Sequence, residues 1–186
     1  VESGLIYKHH HILPRTFHTI ISVALKAGEF DWLLHFTETY CKDVVTEFQD
    51  SIRHFAVGAV HLYKGEFDAA YDSLLKIENA PDVYYEIDWR TMQLRAFYEK
   101  GAEEAYVFDN LCETFRSFIR RNNQVAPYLQ EAHLNFLKML RAVFKLKTTR
   151  PDRQAIDKLS KKLDELQHVS NKAWLQQKVE ELIAKK

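Results

Sequence analysis

Glycine and proline are scarce in this chain, five and four among 186 residues. So few turn-formers exclude an all-β sandwich or barrel, whose short strands need a breaker roughly every ten residues. Cysteine is scarcer still. Cys41 and Cys112 share no CxxC spacing and fall in apolar, helix-periodic stretches. They are expected to be buried thiols, not a redox pair or a bridge, and this suits a reducing compartment. Net charge is absent, with 26 basic against 26 acidic residues. That removes the broad positive footprint of a duplex-binding domain, although a local patch remains open. No apolar run approaches the ~18 residues of a membrane span, and no signal peptide is visible. A cytoplasmic location without a membrane partner is the expectation. The chain begins at Val1, which leaves room for it to be part of a longer protein. Also missing are a G-x-S-x-G elbow, a phosphate-cradling glycine loop, an HExxH pair and a dinucleotide fingerprint. No catalytic residue is therefore assigned, and enzyme activity is not expected.

What the chain does contain is apolar residues at 46%, aromatic residues at 13%, and a phrase that returns. Gly28-Glu29-Phe30-Asp31 reappears at Gly65-Glu66-Phe67-Asp68, a step of 37 residues. A looser copy, Gly101-Ala102-Glu103-Glu104, follows after 36 more. Self-similarity at this period marks a helical repeat. The apolar residues around each copy recur at helical spacing. Ile20, Ile21, Ala24 and Leu25 precede the first glycine, and Phe30, Leu33, Leu34 and Phe36 follow it. Val44, Phe48, Ile52, Phe55, Ala59 and Leu62 precede the second, and Phe67, Ala70, Tyr71 and Leu74 follow it. The pattern predicts an all-α chain of stacked hairpins. A tail or lead-in occupies about 1–13, and a single helical-repeat domain covers 14–186. The pairs are placed at about 14–41, 43–78, 81–121 and 126–167, with a cap at 171–185. Pro14 is expected to open the first helix and Pro81 the fifth. The cap's outer side is expected to be polar, through Gln176, Gln177, Lys178, Glu180, Glu181 and Lys185.

The second pair resembles a tetratricopeptide repeat. His54, Val57, Gly58 and His61 stand in its Trp, Leu, Gly and Tyr slots, and Ala70 and Leu74 in its small and Phe slots. The first and third pairs match less well: Ile21 and Leu94 replace the close-packing glycine, and Leu33 and Tyr106 take the small-residue slot. The resemblance covers about 14–121. It implies a right-handed αα-superhelix of stacked helical hairpins that binds a protein or peptide on its concave face. Carried over by register, the groove positions are Arg15, His18 and Ser22, then Phe55, Ala59 and Leu62, then Asp88, Thr91, Arg95 and Tyr98. Phe55, Leu62 and Tyr98 would be partly exposed apolar anchors, with Arg95 and His18 orienting the ligand. The clamp that some members use for a C-terminal carboxylate needs Lys, Asn and Arg in this groove, where the second pair presents Ile52, Phe55 and Ala59, so that clamp is not expected.

Three constellations have simpler explanations. His9, His10 and His11 could ligate a metal but lack a carboxylate or thiol at useful spacing. Glu47, Asp50, His54 and His61 share roughly one helix face, but none of them forms a Glu-x-x-His pair of the kind di-iron bundles use. The two histidines also already fill repeat slots, so no metal and no cofactor is expected. The basic run over 138–153, with Tyr128 and Phe144 as stacking surfaces, could touch nucleic acid, but it reads more simply as a solvated face. The expectation is a non-catalytic protein- or peptide-binding scaffold. The alternatives are a nucleic-acid-binding or regulatory helical domain of a longer protein and, third, an enzyme with an unrecognised site.

Overall fold

At Gly65 the backbone turns left-handed, with φ of 80°. The Gly65 and Glu66 N–H groups return to the Leu62 and His61 carbonyls at 3.2 and 2.9 Å. This closes the helix before it and releases the chain into the next. A residue with a Cβ would pay about 1–2 kcal/mol to adopt that conformation. Gly28 and Gly101 repeat the device with φ of 76° and 77°. The computed structural model describes residues 7–8, 11–101, 104–149 and 152–184. The contacts divide the chain into two compact units, 1–102 and 103–186, where the sequence reads as one domain over 14–186.

The first unit holds five helices: α1 Pro14–Ala27, α2 Phe30–Tyr40, α3 Gln49–Lys64, α4 Phe67–Leu75 and α5 Val83–Glu99. Each packs on its neighbour, and α3 also packs on α1 and α5. Ahead of them lies a short antiparallel ladder, β1 Tyr7–Lys8 with β2 His11–Ile12. So the expected tail is in part paired backbone, and it is anchored, because Ile12 is fully buried. His11 Nδ1 also lies 3.3 Å from the Asp43 carbonyl. His9 and His10 lie outside the described residues. α1 begins at Pro14, as expected. α5 does not begin at Pro81. Asp82 is its N-cap, its carboxylate accepting from the Tyr84 and Tyr85 N–H groups at 2.9 and 3.0 Å. That is the stronger signal, since a capping side chain satisfies amides a proline cannot. α3 starts later than its apolar pattern suggests, because 3₁₀ turns occupy Cys41–Asp43 and Thr46–Phe48.

Gly58 sets the close approach of α3 and α4. A Cβ built there would stand 2.8 Å from Leu74 Cγ and 3.3 Å from the Ala70 carbonyl. Bare backbone at that point lets α3 and α4 meet. The residues in the small and Phe slots, Ala70 and Leu74, are the ones it meets.

The second unit holds α6 Ala105–Arg121, α7 Pro127–Thr149, α8 Arg153–Glu165 and α9 Lys172–Ala184. Its core includes Phe108, Phe115, Phe136, Met139, Leu140, Leu163 and Leu175. Phe108 stacks on Phe144, with ring centroids 4.0 Å apart and planes within 13°. Tyr106, expected in a small-residue slot, is 78% exposed. The turn after Gly101 runs two residues longer than those after Gly28 and Gly65, so the register slips at the start of α6. On α9, Lys178 is buried, contrary to its expected place on the polar side. Its Nζ donates to Glu181 Oε1 at 2.7 Å and sits over the Trp174 ring. A lysine stem can lie along apolar surface while its ammonium finds a partner. Lys185 lies outside the described residues.

Candidate functional site

The register-derived groove set converges, but not as an open groove. His18 on α1 sits beside Phe55 on α3 at 5.4 Å and Tyr85 on α5 at 5.1 Å, centroid to centroid. Phe55 and Tyr85 are themselves 4.6 Å apart. His18 Nε2 approaches Asp88 Oδ2 to 3.1 Å, without hydrogen-bond geometry. Thus one side chain of α1 reaches α5 across the face of α3, and that face is filled. Phe55, Leu62 and Tyr98, expected as partly exposed anchors, are all buried, as are Ala59 and Thr91. The physical reason is tight convergence of α1, α3 and α5 around aromatic side chains. Large residues then gain more from mutual burial, about 1.5–3 kcal/mol each, than from facing water.

What stays accessible in that set is polar. Arg15 is exposed, and His18, Ser22, Asp88 and Arg95 are half-buried. Ser22 Oγ donates to the His18 carbonyl at 2.9 Å. Burial draws the Arg95 guanidinium below its usual pKa, against the opposing pull of Tyr63 and Glu99. Thr91 Oγ1 is buried without a hydrogen-bond partner. Tyr85, pushed well above its ordinary pKa by burial, donates its hydroxyl to the Ser51 carbonyl at 3.2 Å. This is a structural node that presents an acid and a base at its rim.

The carboxylate–histidine stripe disperses. Asp50 pairs with Arg53 at 2.7 Å, His61 pairs with Glu66, and the Glu47 carbonyl accepts from Asn79 Nδ2 at 3.0 Å. Burial lowers the pKa of His54, helped by Lys76. Among the described residues no three His, Cys, Asp or Glu side chains gather as a metal site would require. The thiols of Cys41 and Cys112 are both free and buried. Cys41 Sγ donates to the Gln49 carbonyl at 3.0 Å, and burial raises its pKa. In the basic run, Phe144 is buried against Phe108 and offers no stacking surface, whereas Tyr128 is exposed. Arg150 lies outside the described residues.

The sequence reading missed an apolar face on the first hairpin. Thr19, Ile20, Val23, Ala24 and Ala27 of α1, with Glu29 and with Trp32 of α2, line an open hollow of about 460 Å3. Val23 is 61% exposed and Trp32 46%. Trp32 stacks on Phe36 at 5.2 Å, which holds its ring in place. The repeat itself carried a usable signal. The counterparts of Val23 one and two repeats on are Val60 and Ala96, and both are buried, at 1% and 0%. In those hairpins the preceding helix, α2 or α4, packs against α3 or α5. On α1 the same face has no such neighbour among the described residues.

These observations define the class: an all-α protein built of helical hairpins. No helix among the described residues is long and apolar enough to cross a membrane. Comparison of the chain with family models, curated proteins and solved structures finds no match.

Proposed function

We propose that this chain is a non-catalytic scaffold that binds a partner protein. In this reading its first unit is a divergent tetratricopeptide-like superhelical array, and the partner presents a helix to the open α1–α2 face. One observation carries the proposal: Val23 lies in water where its repeat counterparts Val60 and Ala96 are buried, on helices that pack against the preceding α2 and α4. What covers the face in the second and third hairpins indicates what fits it in the first. An amphipathic helix lying in an apolar groove is a common mode of recognition, and exposed aromatic residues such as Trp32 often carry its energy. The polar remainder of the groove set, Arg15, His18, Ser22, Asp88 and Arg95, supports a second contact surface through charge-assisted hydrogen bonds. Two free buried thiols suit the reducing cytoplasm.

The test is site-specific photocrosslinking in cell extract. A photoreactive residue at position 23 should capture a helical partner. The same residue at Glu38, exposed on α2 and outside the hollow, should not. Val23→Asp should abolish capture and leave the melting temperature unchanged. Equal capture from both positions, or capture that survives Val23→Asp, would refute the assignment.

A further inference from the structure

The second unit contains a pocket that the scaffold reading does not use. It lies between α6 and α7 and has a volume of about 370 Å3. Arg116 and Arg120 enter it from α6, one turn apart, below Cys112 on the same stripe. Lys138 and Arg141 enter it from α7. Four cations therefore converge on one hollow in a chain whose net charge is zero. Leu134 and Leu137 supply apolar wall beside them.

The charges in this pocket are only partly compensated. Glu113 Oε1 accepts from Arg141 Nη1 at 2.6 Å and from Arg116 Nη1 at 3.2 Å. Arg141 Nη2 reaches the Asp109 carbonyl at 3.2 Å, with Oδ1 at 3.4 Å. These two carboxylates answer two of the cations. Arg120 and Lys138 are exposed at the mouth, and neither has an acidic partner among the described residues. Arg141 Nε is buried with no hydrogen-bond partner. The adjacent Cys112 thiol, a weak acceptor, interacts with the Arg141 side chain. Burial pushes that thiol's pKa up to about 12, so it adds no negative charge.

We propose that the α6–α7 pocket binds a phosphate monoester, with Arg120 and Lys138 holding the phosphoryl oxygens and Arg116 and Arg141 lining the seat. The surplus of two positive charges matches a phosphate monoester, which carries about −1.5 to −2 at neutral pH. Guanidinium forks suit its oxygens in a way single ammonium groups do not. The volume is several times that of a bare phosphate ion, and the leucines give the remaining space an apolar side. The ligand therefore carries an organic group, either as a small phosphorylated compound or as a phosphorylated side chain.

Nuclear magnetic resonance titration of the full chain at low salt tests this, with phenyl phosphate, an N-acetyl phosphoserine amide, inorganic phosphate and sulfate as probes. Both esters should shift Arg116, Arg120, Lys138 and Arg141 resonances and bind more tightly than inorganic phosphate or sulfate. Tighter phenyl phosphate identifies a small-molecule source, and tighter phosphoserine a protein one. Arg120→Ala with Lys138→Ala should weaken the ester about tenfold or more. That pair is exposed, so the melting temperature should hold. Binding should also weaken below about pH 6, where the second phosphate proton returns. Shifts spread over all surface lysines and arginines, ester affinity no better than sulfate, or no loss in the double variant would each overturn the proposal.

Discussion

The two units solve the same packing problem with different turns. In residues 1–102, hairpins reverse at Gly28 and Gly65, and Gly101 follows α5, each with a left-handed backbone. In residues 103–186 no glycine occurs. There α6 ends at Arg121, and Asn122 holds the following loop, its Oδ1 accepting from Gln124 N–H at 3.0 Å and its carbonyl from Gln130 Nε2 at 3.0 Å. Asp152 caps α8 by accepting from Ala155 N–H at 2.7 Å. Asn171, with φ of 54°, takes the left-handed position before α9. The first unit sets bends with left-handed glycines but also caps α5 with the Asp82 carboxylate, whereas the second relies on Asn122, Asp152 and Asn171. The repeated phrase ends where the glycines stop.

If the units differ in their turns and not in their cores, truncating a core aromatic should cost the same in both. Phe55→Ala and Phe108→Ala should each lose about 3–5 kcal/mol, read from denaturant unfolding. A Phe55 variant with unchanged stability but impaired partner capture would restore the open-groove reading. Next in size is Gly58→Leu. It forces a side chain into Leu74 and the Ala70 carbonyl and should cost on the order of 1–3 kcal/mol or more. An unchanged or higher midpoint would mean that α3 and α4 do not meet at that glycine.

The turn comparison itself is sharpened by Gly65→Ala against Asn123→Ala. The first should cost about 1–2 kcal/mol through its left-handed backbone. The second, at an exposed loop residue, should stay within about 0.5 kcal/mol. Equal losses would erase the distinction between the units. The smallest effect at neutral pH belongs to Cys112. Burial raises its pKa from 9.0 to about 12, so the folded thiol keeps its proton where the unfolded one releases it. Its contribution is complete below pH 9.0 and is lost as the pH climbs toward about 12. Wild type should lose stability over that window more steeply than Cys112→Ala. A thiol reagent at pH 8 should label Cys112 only as fast as the chain opens.

Helix existence was legible because apolar residues recur at helical spacing, and Gly58 was legible because only a close approach explains a glycine in mid-helix beside a small residue at 70. The orientation of Phe55, Leu62 and Tyr98 was not legible. Register places them on the face shared by α1, α3 and α5, but whether that face is open depends on how sharply the helices converge. Convergence is set by side chains on three separate helices, His18, Phe55 and Tyr85 among them, and no local spacing encodes it. Tyr106 was misplaced because a two-residue lengthening after Gly101 is invisible until α6 is seen to begin at Ala105. Val23 could have been found by aligning it with Val60 and Ala96 at the repeat period.

The placement of the three tryptophans has a spectroscopic consequence. Trp89 is half-buried and donates its indole N–H to the Leu74 carbonyl at 2.9 Å, and Trp174 is half-buried near Phe136. Trp32 alone of the three is exposed, with its ring on the rim of the α1–α2 hollow. The chain thus carries its own fluorophore at the proposed docking face. Its red-edge emission should come mainly from Trp32, be quenched by iodide, and move to shorter wavelength when a helix covers the ring. Occupancy of that face can be followed in unlabelled protein, with a Trp32→Phe chain as the dark reference.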